Sequence, residues 1–353
     1  MRVTQVLCAA GPVDAVTNQA LAYRSLFRRW GWTGEDYAPV QAHDMDRGTI
    51  KPLHELRPAP GEPLVVHYSG YANGLERLLA ACPRSLLVSH NITPPQYFWS
   101  VDPAEAVRCQ LGYGQLGELA RAAARLVGVS SFNAAELREL SGREAEVIPV
   151  LFDRRALGAA GSRLDRGSGS ASGSILFVGR LVPHKRQDLV IRAFARLRRL
   201  RRPEARLVLV GVPLSLEYGA WLARLAQELA PGAVSFETGL ASTELWERYR
   251  SATAFLCLSE HEGFCIPLLE AFHFRVPVIA RDAGAVGEVV GDAGVLLSGE
   301  DGVATISELL AIVLGDPELR TELAERGERR LDLYDHDRVA ARVRGAVTAL
   351  AAA

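Results

Sequence analysis

Several broad classes of protein are excluded by what this sequence has little of. Its 353 residues carry 40 basic and 41 acidic side chains, a formal net charge of −1, so nothing draws the chain as a whole to nucleic acid or an anionic membrane. No apolar run approaches the length that spans a bilayer. The start, Met1-Arg2-Val3-Thr4-Gln5-Val6-Leu7, reads as a strand and lacks the order of charged, apolar and small residues found in a secretion signal. Cysteine is scarce: Cys8, Cys82, Cys109, Cys257 and Cys265 match neither a zinc-ligand spacing nor Cys-x-x-Cys. Free thiols in a reducing cytoplasm are the expected setting, with Cys8 and Cys257 packed as small apolar residues in strands. The dinucleotide fingerprint Gly-x-Gly-x-x-Gly is missing, and no short-period repeat is evident.

What is present is an α/β alternation that runs through both halves. At 48% hydrophobic residues, 353 residues are enough for two domains with full cores. Val3 to Cys8, Pro63 to His67, Ser85 to Ser89 and Val127 to Val129 read as strands of the first half. Ser174 to Gly179, Arg206 to Gly211, Val234 to Phe236, Ala254 to Leu258 and Val276 to Ala280 read as strands of the second. Helical spacing fills the gaps, for example from Ala15 to Trp30 and from Pro103 to about Arg125. Between Gly158 and Ser174 the chain is rich in glycine and serine, which marks a linker. Two doubly wound domains are therefore expected: residues 1–157, a linker at 158–173, and residues 174–332. A final helical stretch, 333–353, is expected to pack back on the first domain.

Open α/β sheets bind ligands beyond the C-terminal ends of their strands. Candidate residues collect at such ends. In the second half, Glu262 lies in the turn after the strand Ala254 to Leu258, and Glu270 is expected in the first turn of a helix beginning near Pro267. Gly263 permits close backbone approach, and the helix start offers unpaired N–H groups. Arg180 and Lys185 share the turn after Gly179, five positions apart, where a guanidinium fork and a compact ammonium suit two phosphates. In the first half, His90 leaves a strand ahead of Pro94 and Pro95, with His67 a competing candidate at another strand end. Gly11 and Asp14 occupy the first turn, where Asp14 also reads as a plain helix cap, as does Ser130 before its helix.

The run Ser-Glu-His-Glu-Gly-Phe-Cys-Ile-Pro-Leu-Leu-Glu, residues 259–270, resembles the signature of retaining GT-B glycosyltransferases, the large family that includes sucrose synthase and bacterial mannosyltransferases. His-Asn-Ile-Thr-Pro at 90–94 and the Gly-Arg, short gap, Lys pattern at 179–185 are similar to further segments of that family. The resemblance implies a GT-B fold, two Rossmann-like domains facing each other across a cleft, with the acceptor on the first and the nucleotide sugar on the second. It implies that Glu262 and His90 reach the donor sugar and that Glu270 holds the ribose hydroxyls. Arg180 and Lys185 would then stabilise the leaving diphosphate, and Gly11, Gly179, Gly263, Phe264, Cys265 and Ile266 would line the donor site. The family usually has glycine where this chain has Cys265.

The activity implied is transfer of a hexosyl group from a nucleoside-diphosphate sugar, with a lean to GDP-mannose, to a saccharide, lipid-linked or small-molecule hydroxyl. No cofactor is expected, and no metal either, since two cations already face the diphosphate and no Asp-x-Asp triplet is present. A glycoside phosphorylase, a nucleotide-sugar epimerase or a non-catalytic nucleotide-sugar binder are the alternatives. A hydrolase would use the paired carboxylates but needs no diphosphate clamp. The expected location is the cytoplasm. The arginines at 196, 198, 199, 201 and 202 read as a solvated helix face or as a weak contact to anionic lipid headgroups.

Overall fold

A computed structural model describes all residues except 13, 43–48, 60, 159–172 and 353. Most of the glycine- and serine-rich linker expected at 158–173 thus lies outside the described residues. The chain forms two compact units, Met1–Leu151 with His336–Ala353, and Phe152–Asp335.

The first unit contains β1 (Thr4–Leu7), α1 (Ala15–Arg29), β2 (Asp36–Ala38), β3 (Lys51–Pro52), β4 (Leu64–Tyr68), α2 (Leu75–Ala81), β5 (Ser85–Ser89), α3 (Pro103–Ala122), β6 (Arg125–Gly128), α4 (Ser131–Ser141) and β7 (Glu146–Val147). Its seven strands pair in parallel in the order β3-β2-β1-β4-β5-β6-β7. The chain therefore winds outward from β1 in one direction and then, from β4, in the other. The strand order reverses between β1 and β4, where Leu7 is paired with His67. Such a reversal opens a crevice at the strand ends.

The second unit follows with β8 (Ser174–Val178), α5 (Gln187–Leu200), β9 (Arg206–Val210), α6 (Leu216–Leu229), β10 (Val234–Glu237), α7 (Ser242–Ser251), β11 (Ala254–Cys257), α8 (Ile266–His273), β12 (Val278–Arg281), α9 (Val286–Val290), β13 (Gly294–Leu297), α10 (Val303–Gly315) and α11 (Pro317–Arg330). Its six parallel strands run in the order β10-β9-β8-β11-β12-β13, so here the reversal lies between β8 and β11. Strands buried on both faces read as continuous apolar runs. Ala254, Phe255, Leu256 and Cys257 are all buried; Ala254 and Leu256 share a core with Phe177, Phe194 and Leu209, while Phe255 stacks on Tyr249. Gly211, at the end of β9, has φ +155°, and a Cβ there would sit 1.9 Å from the Gly179 carbonyl oxygen. Only glycine allows the ends of β8 and β9 to come so close.

The last helix, α12 (His336–Ala352), belongs to the first unit. It buries Val339, Val343, Val347 and Leu350, while Arg342 bonds Glu146 at 3.3 Å and Arg344 lies over the Trp30 ring.

Two local expectations are corrected. Helix α3 stops at Ala122, because Arg125 already starts β6. Helix α8 starts at Ile266, with Pro267 second, which puts Glu270 in the second turn and not the first. Near the end of α5 Arg198 donates to the Pro203 carbonyl, and just beyond the helix Arg201 donates to Glu308 and Arg202 pairs with Glu204. Much of that basic face is thus engaged within its own unit.

Candidate functional site

In the second unit the reversal between β8 and β11 brings together the loops that follow these two strands. The loop after β8 carries Gly179, Arg180 and Lys185; the loop after β11 carries Glu262. They meet in an ion pair: the Lys185 Nζ donates to Glu262 Oε1 at 2.6 Å, with side chains 17% and 10% exposed. Burial pushes the Glu262 carboxyl up, but Lys185 more than offsets this and holds it below its ordinary range. Burial likewise works against the Lys185 ammonium, and Glu262 raises it above its usual value. Both are charged at neutral pH. His184 beside them is pushed down to about 3, by burial and then by Lys185, so it is neutral.

The backbone fixes Glu262 as well. Its carbonyl accepts from the Ala285 N–H at 2.9 Å. Gly284 (φ +60°) lies so close that a Cβ there would be 2.3 Å from the Glu262 oxygen. Past Glu262, Phe264 is buried edge-on against Tyr334, with centroids 5.5 Å apart, and Cys265 takes φ +74°, ψ +69° ahead of α8. A left-handed conformation explains why glycine would suit this position and why cysteine there is strained. Glu270 accepts from the Tyr249 hydroxyl at 2.6 Å. Burial pushes the Glu270 carboxyl up and Tyr249 opposes this. Tyr249, fully buried on α7 and stacked on Phe255 and Phe274, fixes where that carboxylate points.

In the first unit the structure joins the two histidines treated as rivals. Register places His67 opposite Val88 and Tyr68 opposite Ser89, so His90, the next residue, lies beside His67. The His67 Nδ1 is 3.0 Å from His90 Nε2, and the His67 Nε2 is 2.9 Å from Gln5 Oε1. The Gln5 amide nitrogen donates to the Ala20 carbonyl and to Asp36 Oδ1, so its oxygen faces His67 as an acceptor. His67 must then donate from Nε2, leaving Nδ1 to accept from the His90 Nε2–H. His90 is thereby left with Nδ1 as an acceptor. Burial holds both rings well below the ordinary histidine range, His90 at about 4, so both are neutral. At the far end Asp36 is held by Arg24, 2.6 Å away, in a pair 2% and 3% exposed. Sequence reasoning missed Gln5, Arg24 and Asp36. Gln5 and Asp36 are polar residues on β1 and β2 that only the register brings opposite each other, and Arg24 reaches Asp36 from α1.

The remaining expected residues fall as follows. Arg180 is exposed; its carbonyl accepts from Gln187 Nε2 at 3.0 Å, and its charge acts on His184 together with those of Lys185 and Glu262. Arg180 and Lys185 are therefore near one another, but Lys185 faces a carboxylate. The Gly11 N–H donates to the Thr17 hydroxyl, and Asp14 caps α1 through Thr17. Ser130 caps α4, accepting from the Asn133 N–H at 3.2 Å. Gly179 and Gly263 lie in the loops already described and Ile266 opens α8, all within the second unit. The Cys257 and Cys265 sulfurs, eight positions apart in sequence, are 3.9 Å from each other.

Residues 166–330 match the profile of the family described as Glycosyl transferases group 1. That match falls within the second unit, which carries the likeness to the group 1 glycosyltransferases. D-inositol 3-phosphate glycosyltransferase of Kineococcus radiotolerans is 31% identical over 60% of this chain and 54% of that protein. GDP-mannose-dependent alpha-(1-6)-phosphatidylinositol monomannoside mannosyltransferase of Mycolicibacterium smegmatis is 35% identical over 40% of this chain and 39% of its own length. The chain thus spans about half the length of the first of these relatives and less than half of the second. In fold it is similar to sucrose-phosphate synthase from Thermosynechococcus elongatus, with a TM-score of 0.71 or better shared by other solved chains and 0.79 for this one, at 18% identity over 100% of both chains. That likeness establishes the two-domain, Rossmann-like GT-B fold. Among the described residues, no helix is long and apolar enough to cross a membrane.

Proposed function

We propose that the protein transfers a hexosyl group from a nucleoside-diphosphate sugar to a hydroxyl acceptor, with retention of anomeric configuration and without a metal. The observation that carries this reading is the buried Lys185–Glu262 pair at the strand reversal of the second unit, with Glu270 held by Tyr249 close in sequence. The Glu270 carboxylate can accept from two ribose hydroxyls while Tyr249 occupies one of its oxygens. Lys185 and exposed Arg180 supply positive charge where a departing diphosphate gathers negative charge, which lowers the barrier if they are already in position. Glu262 keeps the ammonium in place before the donor arrives. In the first unit, the Gln5–His67–His90 chain fixes the tautomer of His90, which orients a sugar hydroxyl donating to Nδ1. The leaving diphosphate takes the proton of the attacking hydroxyl, so no nucleophilic carboxylate is required.

GDP-mannose is the favoured donor, supported by the likeness to a relative whose name specifies it. An inositol-containing acceptor is the class suggested by the names of both relatives. The test is thermal stabilisation by GDP, UDP, ADP and dTDP in the presence of a chelator. A nucleotide at about a hundred times its Kd stabilises the folded chain by about 2.7 kcal/mol. A shift with one nucleotide, GDP first, is expected. No shift with any of the four overturns the reading.

A further inference from the structure

Cys257 ends β11 and Cys265 immediately precedes α8, with Glu262 in the loop they enclose. The Cys257 and Cys265 sulfurs are 3.9 Å apart, and one ligand atom from each of Cys257, Glu262 and Cys265 lies within 4.8 Å of the others. All three residues are buried. We propose that these residues form a binding site for a thiophilic divalent cation, zinc first, and that the bound cation competes with Lys185 for the Glu262 carboxylate.

Geometry favours this directly. Zinc bound tetrahedrally at about 2.3 Å from each sulfur requires a sulfur–sulfur separation of about 3.8 Å. The two thiols already stand at that edge length, and the carboxylate needs only a small side-chain movement to close the third corner. The scaffold is set in advance, with one sulfur at a buried strand end, the other at a helix start, and the Glu262 carbonyl held by Ala285. The buried Ser259 hydroxyl, 3.4 Å from the Cys257 sulfur, or a water completes four-fold coordination.

Charge also balances. The cation enters with two positive charges as the two thiols each release a proton, so the net charge of the cluster is unchanged. Two thiolates and one carboxylate around a dication leave one negative charge, which the neighbouring Lys185 ammonium neutralises. Such compensation is what a buried charged cluster needs. Two sulfurs and one carboxylate select soft or borderline metals over magnesium and calcium, which prefer all-oxygen shells. The site is therefore distinct in kind from a magnesium–diphosphate site. Cation binding itself does not depend on the proposed function. Its consequence does: a metal holding Glu262 removes the partner of Lys185 and blocks the donor, so zinc acts as an inhibitor.

The test uses the full chain, reduced with a phosphine and titrated with cadmium in weak buffer. Thiolate-to-metal charge-transfer absorption is expected to rise to saturation at one cation per chain, with two protons released and with zinc displacing cadmium. Cys257→Ala and Cys265→Gly should each abolish the absorption and weaken binding at least tenfold, while Cys8→Ala, in the other unit, should retain both. A melting curve checks that each variant is folded, and glycine relieves the backbone at 265. Absence of the absorption, or its persistence in both site variants, overturns the proposal. If cadmium binds and no nucleotide stabilises the chain, the metal site stands and the transferase reading falls. If a nucleotide stabilises the chain and cadmium does not bind, the reverse holds.

Discussion

Asp36→Asn should be among the most damaging single substitutions in the first unit. The Arg24 guanidinium is 3% exposed and is bonded to Asp36 Oδ1 through NH2 at 2.6 Å and through Nε at 3.1 Å. Its NH2 also donates to the Val3 and Glu35 carbonyls, so the arginine cannot withdraw to solvent without breaking backbone contacts as well. Asparagine retains one acceptor but removes the charge, and its amide group turns a donor toward the arginine. Removing one member of a buried pair costs about 3–5 kcal/mol, most of it the penalty of the stranded partner. At about 1.4 kcal/mol per factor of ten, this is a loss of a hundredfold or more in protection. Amide exchange followed peptide by peptide is the suitable assay, because the two units need not unfold together. Peptides from α1, β1 and β4 should lose protection while those from β8 to β13 keep it. Replacing both members, Arg24→Met with Asp36→Leu, should recover most of the loss. A loss below about 1 kcal/mol for the single variant, or a double variant as unstable as the single, would refute the reasoning.

Three further expectations follow from the same kind of accounting. Lys185→Met leaves Glu262 buried without its partner and should cost about 3–5 kcal/mol in the second unit, measured by amide exchange there. Glu270→Gln should weaken nucleoside diphosphate binding; because burial raises the Glu270 carboxyl, binding in the parent should fall on acidification at a pH higher than an ordinary glutamate would give, as calorimetry across pH would show. Burial, followed by Glu139, pushes Glu136 up to about 7. Its folded value exceeds its unfolded one, so the stability it contributes is complete below about pH 4.5 and is lost as pH rises toward 7. The full difference is about 3 kcal/mol, reduced by partial exposure to about 2. Melting curves of Glu136→Gln should lack this decline relative to the parent.

The parts of the fold that were readable in the sequence were those whose local chemistry repeats along the chain. Ala254 to Cys257 is an unbroken apolar run, and Pro267 announces a helix, so β11 and α8 were both legible. The boundary slipped by one residue because Cys265 adopts a backbone conformation that its side chain disfavours. Strands β2 and β3, with three and two residues, are too short to leave a pattern, and α2 is a seven-residue helix behind Gly74 at φ +86°. At the site, Glu262, Lys185, Glu270 and His90 were each legible as polar groups at element ends. Their pairings were not. Tyr249 reads as one more apolar helix residue until its hydroxyl is seen on Glu270, and His67 and His90 stand 23 positions apart. Pairings of this kind depend on strand register and helix packing, which leave no mark at either residue alone.

The return of α12 to the first unit has a consequence for the order in which the protein is made. A chain synthesised from its N-terminus delivers β1 to β7 first, then every residue of the second unit, and only then Val339, Val343, Val347 and Leu350. The second unit can close its core as a contiguous segment while the first still waits for its last helix. During that interval the surface that α12 will cover stays open to water and to other chains. The half of the molecule begun first is the half finished last.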